Sequence, residues 1–275
     1  MPELPEVETT RLGVINYVKD KRLLSINMSN KKLRYPFDFS SDTLVGLRCL
    51  NIERRAKYLI FNFGIKKLLV HLGMSGSLRV ENASDKTKKK HDHVVLRFEG
   101  NHSLIYHDPR RFGFVVMYNE GWKEKMDKWG PEPLSKEFNK TNFYEKLKMS
   151  SRSIKQVLMD QKNVVGVGNI YANEVLFKVK LHPMTKASLV SKEVSEKMII
   201  EIKNILKKSI EKGGTTLRDF VSGKENPGYF KQSLLVYGRE GLPCTECGTM
   251  INRMVIAQRS SFYCPCCQPS SDNER

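Results

Sequence analysis

The sequence contains no apolar run approaching the roughly 20 residues that a membrane span needs. Its N-terminus lacks the apolar core of a signal peptide. A soluble, cytoplasmic protein is expected. No internal repeat is present, which excludes solenoid and propeller architectures. Acidic residues are scarce: 30 Asp and Glu stand against 47 Lys and Arg, a net charge of +17. That excess points to a polyanionic partner, nucleic acid first and an anionic membrane surface second. Cysteines number only six, and four of them fall in paired C-x-x-C spacing near the C-terminus. In a cytoplasmic chain that pattern signals metal more often than disulfides. The 275 residues, 40% of them hydrophobic, suffice for two domains with their own cores.

From Pro5 to about Lys19, Val7, Val14, Ile15 and Val18 recur with helical spacing. Short β-rich runs follow at Leu23–Met28, Leu44–Ile52, Tyr58–Phe63, Leu68–Leu72, Leu78–Val80, Val94–Phe98, Leu104–Tyr106 and Phe114–Tyr118. Their turn residues predict a two-layer antiparallel sandwich. Asp85–His93 (DKTKKKHDH) is basic and without apolar residues, either a solvated connection or a phosphate-contacting loop. After Gly130-Pro131-Glu132-Pro133 the pattern turns helical, at Phe143–Lys148, Ile154–Asp160, Ile170–Val179 and Val194–Lys212, the last stopped by Gly213-Gly214. Thr215–Tyr229 reads as a loop, and short strands surround the cysteines from Ser233 onward. The polar tail from residue 269 to 275 is expected to fray. The division is therefore 1–130, 131–232 and 233–268, then the tail.

Four stretches carry chemistry. In Met1-Pro2-Glu3-Leu4-Pro5-Glu6, removal of Met1 would leave Pro2 as a free secondary amine. An α-amino group titrates near pH 7.7–8.0 as a rough reference, so a neutral fraction is available. Attack on a carbon at the aldehyde oxidation level would give a cationic iminium, with Glu3 and Glu6 beside it to move protons. The competing reading makes the prolines a helix start and the glutamates its dipole partners. Cys244-x2-Cys247 and Cys264-x2-Cys267 have the spacing of a closed, structural tetrahedral zinc site on a hairpin. Cys266 lies inside the second pair, but hairpin spacing favours Cys267, and Cys49 belongs to an apolar strand. Between the pairs, Gln258-Arg259-Ser260 falls near the hairpin tip, where Arg259 is either a phosphate fork or a solvated charge. Gly166-Val167-Gly168-Asn169-Ile170-Tyr171 sits between two helices, with Asn169 as the expected cap and the helix start as a phosphate site or a plain helix–turn–helix junction. His71-Leu72-Gly73-Met74-Ser75-Gly76 and Asp108-Pro109-Arg110-Arg111-Phe112-Gly113 each follow a strand. Met74, Arg110 and Phe112 are residue types that enter a base stack or meet an exposed base edge, although core packing also suits Met74 and Phe112.

Together these stretches resemble the bacterial formamidopyrimidine-DNA glycosylase family, the 8-oxoguanine repair enzymes. The likeness covers essentially the whole chain: PELPEVE, RRAKYL, HLGMSG, KHDHV, DPRRFG, GVGNIYA, GGTTLRDF, GYF, VYGR and the terminal cysteine ribbon. It implies an α+β protein: an N-terminal helix with an antiparallel β-sandwich, a helical domain with a helix–two-turn–helix, and a zinc-ribbon hairpin holding one structural Zn²⁺. The implied partner is double-stranded DNA with oxidised purines or abasic sites, lying between the halves. The enzyme would act as a monomer in the cytoplasm, at the nucleoid. Pro2 is implied as the nucleophile at C1′, with Glu6 supporting. Glu3, Lys57 and Arg259 are implied as proton donors, Lys57 on the strand after Arg54-Arg55. Met74, His91, Arg110, Phe112, Asn169, Arg218, Tyr237 and Arg259 are implied as DNA contacts, with Arg110 facing the orphaned cytosine and the loop 215–229 over the flipped base. The implied metal ligands are Cys244, Cys247, Cys264 and Cys267. Arg218 departs from the lysine often found at its position, which changes the geometry of any phosphate contact. Two other readings stand beside this one: an endonuclease VIII-type glycosylase for oxidised pyrimidines, and a zinc-dependent DNA-binding protein without catalysis.

Overall fold

The computed structural model describes residues 2–82, 84, 89–213 and 233–270, with the backbone of 217–218 and 225–226. Two compact units share the chain: Met1–Asp127 with Lys212–Tyr229, and Lys128–Glu211 with Phe230–Arg275.

The first unit opens with α1 (Leu4–Val18), whose Val7, Val14 and Val18 are buried as their spacing predicts. A five-stranded antiparallel sheet follows, built from β1 (Lys21–Met28), β2 (Arg48–Cys49), β6 (Ser77–Asn82), β7 (Asp92–Phe98) and β8 (His102–His107) in the order β2-β1-β7-β8-β6. A four-stranded sheet takes β3 (Asn51–Arg55), β4 (Tyr58–Asn62), β5 (Lys67–His71) and β9 (Phe114–Met117) in that order. Both sheets and α1 feed one core that includes Leu23, Leu59, Val70, Val94 and Tyr106, so the expected sandwich is present. Each fully buried Leu or Val contributes about 1.5–3 kcal/mol, which is what fastens α1 to the sheets.

Two elements differ from expectation. The run Leu44–Ile52 is not one strand: Leu47 N–H turns back to Leu44 O, Gly46 adopts φ 84°, and the chain passes from one sheet (β2) to the other (β3) at Leu50. A helix, α2 (Glu120–Asp127), appears where none was expected. It is short and charged and buries only Met126, so it leaves no apolar periodicity to read.

The second unit holds α3 (Lys140–Lys148), α4 (Ile154–Met159), α5 (Asn169–Lys178) and α6 (Lys192–Glu211) around a core of Leu147, Val157, Tyr171, Leu176, Met198 and Ile202. Gly213, at φ 77°, stands two residues beyond α6, as the glycine stop predicts. Of the loop 215–229, which belongs to the first unit, only the ladder of β10 (Leu217–Arg218) with β11 (Glu225–Asn226) is described. The rest of that loop, the Arg218 side chain, residues 85–88 of the basic segment, Met1 and the tail 271–275 lie outside the described residues. The second unit closes with the hairpin of β12 (Asn252–Ile256) and β13 (Arg259–Tyr263).

Candidate nucleic-acid interface and catalytic site

At the chain start, Glu3 is the N-cap of α1, and its backbone N–H donates to Glu6 Oε2 at 2.9 Å. Glu3 and Glu6 are both buried, at 1% and 7% exposure, while Pro2 is half-buried. Both sequence readings of this stretch are therefore compatible: the prolines start a helix, and the same helix start holds two carboxyl groups beside Pro2. A latch fixes the helix in rotation. Glu8 accepts from Arg54 Nε at 2.9 Å and from Arg11 at 2.6 Å, and Arg11 also donates to Ile52 O. Burial works to raise the Glu8 carboxyl, but the Arg11 and Arg54 guanidinium groups outweigh it and hold it below its ordinary range.

Lys57 does not lie on a strand, as the sequence suggested. It is the second residue of the two-residue turn between β3 and β4, after Ala56 at φ 54°. A tight hairpin needs such a backbone, and Lys57 is half-buried there. Near it is His71, which the sequence reading gave no role. Burial, then the charges of Lys57 and Arg34, push the His71 pKa down to about 4. The ring is thus neutral across the physiological range. Its Nδ1 accepts the Gly73 N–H at 3.2 Å, so the proton sits on Nε2 and makes that atom a donor. His71 stacks on Phe114, which stacks on Trp122 of α2, with centroid distances of 5.3 Å each. A histidine ending a strand of apolar residues was the available signal.

The two glycine-containing loops are joined. Asp108 is fully buried; its Oδ1 accepts from Ser75 Oγ at 2.6 Å and its Oδ2 from Gly113 N at 2.8 Å and Tyr106 Oη at 3.3 Å. Gly73 lies at φ 62°, and a β-carbon there would collide with the Gly113 backbone nitrogen, so only glycine permits this approach. Above the knot, Met74 and Phe112 are 44% and 45% exposed, and the Arg110 guanidinium lies 4.8 Å from the centre of the Phe112 ring. Core packing is excluded for Met74 and Phe112 by those exposures. The structure brings the three together on adjoining loops.

His91 is half-buried with its ring 5.9 Å from that of His107. The neighbouring Asp92 is buried and fixes this end of the basic segment. It accepts two bonds from Arg79, at 2.8 and 2.6 Å, one from His107 Nδ1 at 2.8 Å, and one from Lys89 N at 2.8 Å. Burial acts to raise its carboxyl, but the His107 and Arg79 hydrogen bonds prevail and hold it well below the usual carboxylate range.

In the second unit, Asn169 is not the helix cap. Gly168 takes that position, and the Asn169 carboxamide donates instead to Ser260 O at 2.9 Å. Lys155 is 1% exposed, and its ammonium donates to Ser260 O at 2.9 Å and Ser261 Oγ at 2.6 Å. Asn173 accepts from Phe262 N at 2.8 Å. Three residues of α4 and α5 thus seat the β12–β13 hairpin, and Arg259, exposed at the start of β13 beside the Ala257-Gln258 turn, stands next to the carbonyl that Asn169 holds. Nothing in the local pattern singles out Lys155, a cation on the buried side of a six-residue helix. Glu174 accepts the N–H groups of Leu235, Val236 and Tyr237 at 2.8–3.0 Å, which places the half-buried Tyr237 edge-on to Phe262.

The sulfurs of Cys244, Cys247, Cys264 and Cys267 lie within 4.8 Å of one another, with Cys247–Cys264 at 3.4 Å and Cys244–Cys267 at 3.9 Å. Four sulfurs ~2.3 Å from a shared Zn²⁺ would sit about 3.8 Å apart, so the set fits a tetrahedral zinc. Backbone N–H groups of Glu246 and Cys267 donate to Cys244 and Cys264 sulfurs, as outer-shell support for thiolate ligands. Cys266 is exposed and outside the cluster, and Cys49 is buried, with burial raising its pKa to about 12.

A β-sandwich with a buried glutamate pair at the chain start, together with a helical unit that carries a four-cysteine hairpin, defines a zinc-ribbon protein of the helix–two-turn–helix class. Family models agree in order along the chain: the formamidopyrimidine-DNA glycosylase N-terminal domain over residues 1–115, its H2TH domain over 129–221, and the zinc finger found in FPG and IleRS over 241–269. The formamidopyrimidine-DNA glycosylases of Acinetobacter baylyi and Saccharophagus degradans are 46% and 45% identical, with 98% of this chain and 98% and 100% of theirs aligned. Among solved structures, a Lactococcus lactis FPG mutant in complex with a Fapy-dG-containing DNA superposes with a TM-score of 0.89 at 34% identity, and MutM (FPG) from Thermus thermophilus with 0.85 at 36%. Both superpositions cover 98% of this chain and 100% of the other. The chain belongs to the formamidopyrimidine-DNA glycosylase family, and it carries one structural zinc site.

Proposed function

We propose that the protein is a bifunctional base-excision enzyme: it removes 8-oxoguanine and formamidopyrimidines from duplex DNA and then cuts the strand as an abasic-site lyase. The observation that carries this is the chain start, where a proline one residue from the initiator adjoins two buried glutamates in a member of this family. The relatives, formamidopyrimidine-DNA glycosylases, favour the purine-repair branch over the pyrimidine one, and a non-catalytic regulator gives no reason for that proline. Residues 1–130 would carry the chemistry, 131–232 with the loop 215–229 the duplex and base contacts, and 233–268 the zinc clamp. Among the described residues no helix is long and apolar enough to cross a membrane, and the charge of +17 suits work at the nucleoid, as a monomer.

The target base must leave the stack, at a cost of a few kcal/mol. Met74, Arg110 and Phe112 would fill the gap, with Arg110 toward the orphaned cytosine. Lys57, His91, Asn169, Arg218, Tyr237 and Arg259 would hold the backbone. The Pro2 nitrogen lone pair would form a bond to C1′ as the C1′–base bond breaks, with Glu3 supplying the proton that the opened sugar needs. Glu6 orients Glu3 through the backbone bond already formed. The Pro2 nitrogen sheds its proton to the departing base, and the lone pair so freed expels O4′ from C1′, with O4′ taking the proton from Glu3. This C1′–O4′ cleavage leaves the iminium, which acidifies the adjacent C2′ hydrogen, and β-elimination of the 3′ phosphate and then δ-elimination of the 5′ phosphate follow. No metal takes part in these steps. Trapping tests the reading: borohydride with 8-oxoguanine duplex should yield one protein–DNA adduct attached at Pro2. An adduct at a lysine, or excision without any adduct, would remove Pro2 from the chemistry.

The Arg259 clamp is tested separately. A phosphate contact acts on all sequences alike through counterion release. Arg259→Ala should therefore weaken binding to damaged and undamaged duplex together, by about tenfold, and make the slope of log affinity against log salt shallower by about one. Salt titrations of both duplexes measure this; a loss confined to lesion DNA rules the clamp out.

A further inference from the structure

We propose that Ser75 is a positioning residue for reading the base opposite the lesion. Its hydroxyl cross-links the Met74 loop to the Arg110 loop and so fixes where the Arg110 guanidinium stands. The inference rests on the reading above that Arg110 faces that base.

Ser75 Oγ uses its one proton toward Asp108 Oδ1 at 2.6 Å and accepts the Arg110 backbone N–H at 3.2 Å. The hydroxyl therefore touches both the buried base of the second loop and the residue that bears the guanidinium. Asp108 is an immobile anchor: it is 0% exposed and is tied to β8 through Tyr106 Oη and to Gly113 N. Arg110 itself is exposed, and among the described residues its guanidinium meets the Phe112 ring, which is 45% exposed. Its backbone bond to Ser75 adds to the turn closed by Arg111 N–H on Asp108 O at 3.3 Å, and is the bond that joins Arg110 to the Met74 loop.

Placement matters because of what a guanidinium can distinguish. It only donates. The pairing edge of cytosine offers two adjacent acceptors, N3 and O2, and can take a forked pair of bonds. Adenine offers one acceptor, N1, beside an amino donor that repels the second N–H. Discrimination comes from the second bond, and a forked bond survives only if the head group is held to within a fraction of an ångström. Removing the Ser75 hydroxyl leaves the Gly113 and Tyr106 bonds to Asp108 and the Arg111 N–H bond to Asp108 O in place, so both loops keep their fold while the Arg110 N–H loses its tie to the Met74 loop.

The experiment measures single-turnover excision of 8-oxoguanine opposite cytosine and opposite adenine by wild type, Ser75→Ala, Ser75→Thr and Arg110→Ala, with thermal melting of each protein. The cytosine-to-adenine rate ratio should fall at least threefold in Ser75→Ala and be restored in Ser75→Thr, which keeps the hydroxyl. A Ser75→Ala ratio equal to wild type, while Arg110→Ala collapses it, overturns the positioning role and leaves the proposed function standing. A fall that Ser75→Thr does not restore overturns it too. An unchanged ratio in Arg110→Ala shows instead that Arg110 does not read the opposite base, and the inference falls with that assignment.

Discussion

Glycine in place of Pro2 is expected to cut both base excision and borohydride trapping by about a hundredfold or more, with DNA affinity unchanged. The substitution keeps an α-amine at the chain end, so its effect isolates what the ring supplies. The pyrrolidine fixes φ near −65° and removes the rotation that a glycine amine would have. In this chain the following residue is pinned: the Glu3 N–H is held by Glu6 at 2.9 Å, and Glu3 is the N-cap of a helix buried along Val7, Val14 and Val18. A ring on a pinned neighbour puts the lone pair in one place; displacement of a reacting atom by about 1 Å can cost 10²-fold. A secondary amine also gives a permanently charged iminium, whereas a primary amine gives an imine that must gain a proton to act as the same electron sink. Mass analysis of the N-terminus must accompany the kinetics, because retained Met1 would abolish the amine in either protein. Wild-type excision rates from a Pro2→Gly protein whose Met1 is removed would refute the nucleophile assignment.

How far the sequence reveals such a site differs between its parts. Short β-rich runs bounded by turn residues located the strands apart from the broken run Leu44–Ile52, because the buried stretches of the sandwich are apolar, and the C-x-x-C pairs located the metal set because ligand spacing is local. The helix at 4–18 was legible from Val7, Val14 and Val18 for the same reason of periodic burial. Residues that act by holding something distant were not legible. Lys155 grips a carbonyl 105 positions away, Asp108 ties Ser75 across 33, and His71 is neutral because of what surrounds it, not because of its neighbours in sequence. Asn169 shows the limit most clearly. Asparagine at a helix start reads as a cap by local propensity, yet its carboxamide is taken by Ser260, 91 positions on, and a glycine serves at the cap. The charge excess announced a polyanion, but the positions of the gripping cations depend on the hairpin being seated.

That seating makes the zinc variant the second large effect. Cys264→Ser is expected to lose the metal and to weaken DNA binding by about a hundredfold, or ~2.8 kcal/mol, an order of magnitude beyond Arg259→Ala. The ligands are part of a small core: Cys264 is fully buried and Cys244 nearly so, against Phe177, Val236 and Ile251. A serine there loses a thiolate and leaves a hydroxyl among apolar groups, and a three-ligand site binds Zn²⁺ far less tightly. The β12–β13 hairpin then keeps its bonds to Lys155, Asn169 and Asn173 but loses the metal that closes its end away from the turn. Arg259 would lose its fixed place, and Asn169 its partner whenever the hairpin lifts, so more than one backbone contact goes at once. The helical core of Leu147, Val157 and Met198 is a separate cluster and should keep its cooperative melting. Cys266→Ser is the control, because its thiol is exposed and lies outside the four clustered sulfurs. Elemental analysis should find one zinc per chain in Cys266→Ser and none in Cys264→Ser, with binding lost only in the latter. Zinc retained by Cys264→Ser, or lost by Cys266→Ser, would mean that the ligand set is not the one assigned; full DNA affinity in a zinc-free protein would mean that the hairpin is not what holds the clamp.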